Sequence, residues 1–78
     1  MPTIPRVEFL LSTLNATELG TIDSIAEKLR QVEEELRDME QEELATRAAE
    51  ARASLLRGDL GEFKRGRAFL QSKIGHLR

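Results

Sequence analysis

The sequence predicts an all-α protein: a long central helix over 15–57, a short helix before it over 4–14, and an arm over 60–74 that returns as an antiparallel hairpin. Three observations carry this reading. Ile22, Ile25, Leu29, Val32, Leu36 and Met39 are spaced alternately by three and four, the seam of a coiled coil or helical bundle. Charged residues make up 33% of the chain and aromatics only 4%, a balance rich in Ala, Leu, Glu and Arg that belongs to long helices. Finally, Asn15–Glu18 and Asp59–Glu62 each place Asn or Asp three residues before Glu, the signature of a capped helix start.

Seventy-eight residues make one small domain, spanning 1–78, and a domain of this size buries a modest share of its surface. With no cysteine, disulfides and thiolate metal sites are excluded, so stability is expected from helix packing or from oligomerisation. A net charge of −2 argues against a surface devoted to polyphosphate. No stretch approaches the ~20 apolar residues of a membrane span, and the opening residues lack the pattern of a signal peptide. A cytoplasmic protein that does not enter the membrane is expected.

Thr3 is placed to cap the first helix, and Pro5 is tolerated in its opening turn, where backbone N–H groups have no helical partner anyway. Val7, Leu10, Leu11 and Leu14 give that helix one apolar side. About ten residues are marginal for an isolated helix, so it forms by packing. Asn15 then caps the long helix, with Leu14 and Leu19 as a hydrophobic staple; Gly20 weakens this turn by ~1 kcal/mol relative to alanine and makes Thr21 an alternative start.

Along the long helix, Glu33 to Arg37 and Glu43 to Arg47 are i,i+4 pairs in the favourable order. The heptad slips by about one residue between Glu40 and Leu44, which turns the apolar stripe toward a different neighbour. The second half carries small residues, Ala45, Ala48 and Ala49, followed by Leu55 and Leu56. Gly58 ends it in the left-handed conformation, and Asp59 begins the last helix at once. Phe63, Gly66, Leu70 and Ile74 share one face of that helix, and Gly66 between large residues implies close approach to the alanines.

Lengths predict self-association. A helix over 15–57 would be roughly 64 Å long, while the arms reach only about 22 Å and 16 Å along it, leaving Leu29, Val32, Leu36 and Met39 without an intrachain partner. A second copy is the simplest cover, so the seam of Ile22, Ile25, Leu29, Val32, Leu36 and Met39 is expected to pair in a homodimer or higher homo-oligomer.

No constellation of nucleophile, base and electrophile stabiliser is present, so no enzyme, cofactor or metal is expected. His76 stands alone near the C-terminus. The acidic run of Glu33, Glu34, Glu35, Asp38, Glu40, Glu42 and Glu43 follows neither an EF-hand loop nor a helical di-metal pattern and reads as a solvated face. Arg57-Gly58-Asp59-Leu60 resembles the Arg-Gly-Asp tripeptide bound by integrins, but a helix stop and start already account for these residues. Arg57, Lys64, Arg65, Arg67, Lys73 and Arg78 make the last arm basic, without the aromatic interleaving of a nucleic-acid surface. The expected function is a non-enzymatic protein–protein interaction module: an adaptor, assembly factor or regulatory subunit. The alternative is a small nucleic-acid-binding hairpin using the basic arm.

Overall fold

The computed structural model describes residues 3–77, excluding the side chains of Thr3 and Glu18. Among these residues there are four α-helices and no strand: α1 (Thr3–Asn15), α2 (Ile22–Asp38), α3 (Glu42–Arg57) and α4 (Leu60–Gly75), with a single 3₁₀ turn over Ala16–Glu18. Each helix packs on its neighbour in sequence, and α1 closes the set by touching α4 as well as α2. The four apolar faces meet in one core: Val7, Leu10 and Leu14 from α1; Ile25, Leu29, Val32 and Leu36 from α2; Leu44, Ala45, Ala48, Ala51 and Leu55 from α3; and Phe63, Leu70 and Ile74 from α4.

The continuous helix expected over 15–57 is not formed. The chain leaves the helix at Met39 and re-enters it at Glu42, with Glu40 in the left-handed region at φ 62°. The Glu40 N–H donates to the Arg37 carbonyl (3.0 Å) and the Gln41 N–H to the Leu36 carbonyl (2.8 Å). This paired closure normally ends a helix on glycine, and here glutamate occupies the glycine position. The interval that the length argument left uncovered is therefore covered inside one chain: α3 doubles back along α2, and Leu29, Val32 and Leu36 have no exposed surface. The premise for a dimer built on this seam disappears with the long helix.

The start of the central segment also differs. Asn15 ends α1 instead of capping a new helix, and Thr21 takes the cap, its hydroxyl accepting from the Ser24 N–H at 3.1 Å. Gly20, at φ 126°, turns the chain into α2. Thr17 is fully buried in the connection and donates its hydroxyl proton to the Leu14 carbonyl at 2.6 Å, so a polar group inside the core is satisfied locally. The caps expected from Thr3 and Glu18 lie outside the described side chains. At the other junction Gly58 adopts φ 85°, its N–H donating to Leu55, while Asp59 Oδ1 accepts from the Glu62 N–H at 3.1 Å. One residue thus ends α3 and the next caps α4.

Ion pairs tie the helices at their margins. Glu33 is nearly buried and lies between two cations, Arg37 one turn on and Arg52 of α3, 3.3 Å away. Arg6 of α1 donates to Glu35 of α2 at 2.5 Å, which holds the Arg6 guanidinium above its ordinary pKa. On the solvent face of α2, Arg30 bridges Glu27 and Glu34; its hydrogen bonds to Glu27 lower that carboxyl's pKa and raise that of Arg30.

Candidate interaction surface

The α3–α4 contact is built on small residues. Gly66 lies against Ala51, and a Cβ placed on Gly66 would stand 3.1 Å from the Ala51 Cβ, tighter than ordinary packing. Of the residues expected to pack this hairpin, Ala45, Ala48, Leu55, Phe63, Leu70 and Ile74 are buried and Ala49 is partly so, whereas Leu56 is 59% exposed. Beside the Gly66–Ala51 contact runs an open groove of about 270 Å³, walled by Arg47 and Glu50 on α3 and by Glu62, Arg65 and Phe69 on α4. Arg47 lies over the Phe69 ring at 5.0 Å and also approaches Glu50 at 3.8 Å, in place of the expected Glu43. Its walls carry both signs of charge, with each arginine beside a glutamate, so the groove has no net attraction for an anion or a cation.

The seam residues split differently. Ile25, Leu29, Val32 and Leu36 face α3 and the core, Met39 is half-buried against it, and Ile22 is 52% exposed. Ile22 opens α2, and the antiparallel course of α2 and α3 brings it to the same end of the molecule as the last turn of α3. Leu19 (84% exposed), Leu56 (59%) and Leu60 (51%) belong to that end too, around the α3–α4 junction and just before α2. The molecule measures 22 × 18 Å across its long axis, so the helix ends that carry these four aliphatic side chains lie within that cross-section. Around them stand Asp23, Arg57, Asp59 and Lys64, all exposed and of mixed sign.

This patch is not legible as such in the sequence. Leu19 reads as half of a staple, Ile22 as the first seam residue and Leu56 as hairpin packing, because periodicity assigns a face to a residue and not a depth. The available signal is positional: each lies in or beside the first or last turn of its helix, where the partner helix has run out.

The basic arm is largely engaged with its own chain. Arg65 pairs with Glu62, Arg57 approaches Asp59 at 3.8 Å and Ser54 at 3.2 Å, Arg67 lies over Phe63 at 5.8 Å, and Lys73 lies over Phe69 at 5.7 Å. Arg78 is outside the described residues. His76 Nδ1–H donates to the Ser72 carbonyl (2.7 Å), an ordinary i,i+4 contact. Among the described residues no three or more His, Asp or Glu side chains converge in a way that would hold a metal ion, and no helix is long and apolar enough to cross a membrane. Neither a known family model, nor a curated protein, nor a solved structure matches the chain.

Proposed function

We propose that the chain is a non-enzymatic protein–protein interaction module, an adaptor, assembly factor or regulatory subunit, that docks through its apolar end. The observation that carries this is that Leu19, Ile22, Leu56 and Leu60 are all exposed at or beside helix ends at one end of the molecule, whereas the other exposed large apolar side chains among the described residues, Ile4 and Phe9, belong to α1. The chain keeps these residues half or more in water, so each forfeits a part of the roughly 1.5–3 kcal/mol that full burial contributes, a cost that a docked partner removes. An apolar centre with a polar rim of both signs is the usual make-up of a protein interface. A nucleic acid or an anionic membrane would call for an excess of basic residues around the patch. The partner is therefore another protein offering an apolar patch of similar size, flanked by side chains that answer Asp23, Arg57, Asp59 and Lys64.

The test compares the parent with a Leu56→Ser, Leu60→Ser double variant, both exposed sites whose replacement leaves the core intact. Circular dichroism should report equal helicity. In affinity purification from the native host, the protein retained by the parent should be lost with the variant. Retention of the same partner by both would remove the apolar end from consideration. A mobility shift with DNA or RNA that weakens steeply with salt would replace the whole class of function.

A further inference from the structure

We infer that this protein also forms a domain-swapped dimer, in which the α2–α3 turn opens into a continuous helix and the α3–α4 arm of each chain packs on the α1–α2 half of a second copy. The inference uses the internal α2–α3 seam and not the apolar end, so it stands or falls separately from the docking reading.

The turn is the first reason. It consists of Met39, Glu40 and Gln41, all strong helix formers, with no glycine, proline or asparagine to favour a bend. Glu40 is the only non-glycine residue at positive φ among the described residues, a conformation in which the side chain crowds the backbone. Straightening the turn moves Glu40 into the right-handed helical region and adds helical hydrogen bonds in place of the two that close the turn. Short hinges under strain are the setting in which chains exchange arms.

The interface is the second reason. It is already complementary: Ile25, Leu29, Val32 and Leu36 share one core with Leu44, Ala45, Ala48 and Leu55. The Glu33–Arg52 ion pair and the hydrogen bond from Gln71 to Asn15 (2.9 Å) both cross between the two halves. In the exchanged dimer each of these contacts re-forms between chains, so nothing in the core is lost, and only the turn changes. A helix over 22–57 is roughly 54 Å long, well beyond the 36 Å length of the closed molecule, so the open chain cannot complete its core alone. The occupant of each open half is a second copy.

The chain has no cysteine, so labels can be placed at will. Gln31→Cys and Ala53→Cys put spin labels on exposed positions of α2 and α3. The doubly labelled chain is diluted into excess unlabelled protein, refolded from denaturant at millimolar concentration, and separated by size. In the closed monomer the two labels sit on packed neighbouring helices, within about 20 Å. In the dimer fraction the intrachain distance should lengthen to roughly 33 Å, the rise of 22 helical residues. Glu40→Gly, which removes the crowding from the closed turn, should lower the dimer share several-fold, and Glu40→Ala, which keeps the crowding and favours the helix, should raise it. A dimer fraction with the short intrachain distance would mean closed chains joined by another surface, and would overturn the exchange. Absence of any dimer in the parent and in Glu40→Ala would overturn it equally.

Discussion

Gly66 and Ala51 bring the backbones of α4 and α3 so close that even a methyl group on Gly66 would press on the Ala51 Cβ, at 3.1 Å. Gly66→Leu should therefore force the helices apart and destabilise the fold by about 1–3 kcal/mol, measured by urea unfolding. Gly75, in the last turn of the same helix, has nothing within 4 Å of its added Cβ. Gly75→Ala should stabilise by about 0.4–1 kcal/mol, because it narrows the unfolded ensemble without a clash. Equal effects at the two positions would show that helix propensity and not the Ala51 contact governs Gly66.

Glu40→Gly is expected to stabilise the monomer by about 1 kcal/mol. The residue closes α2 at φ 62°, which costs a side-chain-bearing residue roughly 1–3 kcal/mol and glycine almost nothing, although glycine gives part of that back in the unfolded state. A rise in the urea midpoint with unchanged slope is the signature. A fall would show that residue 40 is helical in solution.

Leu36 is fully buried and lies close to the α2–α3 turn. Leu36→Ala should cost about 2–5 kcal/mol through lost burial and the cavity left behind. Since the closed chain covers this residue by itself, the loss measured on dilute monomer should not depend on protein concentration. A midpoint that climbs with concentration in both proteins would place Leu36 in an interface between chains.

The Glu27–Arg30 pair gives a small pH dependence of known sign. Hydrogen bonds from Arg30 hold the Glu27 carboxyl below its ordinary value of about 4.5 in the folded state. A depressed folded pKa contributes stability that is present above the unfolded value and is lost as the pH falls through the folded one. Stability should therefore decline on acidification below about pH 4.5, and Glu27→Gln should reduce that decline slightly. The pair is exposed, so 1 M salt should weaken the difference between the two proteins. An acid profile identical in parent and variant would mean that the pair does not persist in solution.

The sequence showed the helical content and the core faces because both follow from spacing: Ile25, Leu29, Val32 and Leu36 had to share one side of a helix whatever that side met. It also marked the α3–α4 junction, where Gly58 and Asp59 each carry the residue type that the backbone geometry needs. The α2–α3 turn was hidden for the opposite reason. Glutamate at position 40 is a helix former by every local measure, and only the tertiary gain of folding α3 onto α2 places it at positive φ. The one-residue slip of the apolar stripe near Leu44 was the trace of that turn, legible as a change of neighbour but not as a reversal of direction. Asn15 misled in a complementary way: its sequence suits a helix start, yet the bend is made five residues later, where Gly20 supplies the positive φ and Thr21 the cap. The apolar end was beyond reach of periodicity, which does not register where a facing helix stops.

The hydrogen bond from Gln71 to Asn15 joins residues 56 positions apart, whereas α2 with α3 and α3 with α4 pair across turns of only a few residues. Closing a loop of that length costs chain entropy that the two hairpins avoid. The packing of α1 on α4 thus spans the longest stretch of chain, whereas the other helices pair with their neighbours in sequence. The expected order of assembly runs outward from the centre, with α2, α3 and α4 collapsing first and α1 sealing the core last. Amide protons of α1 should then exchange with solvent through partial openings that leave the other three helices in place, and hydrogen exchange that protects α1 as strongly as α3 would overturn this.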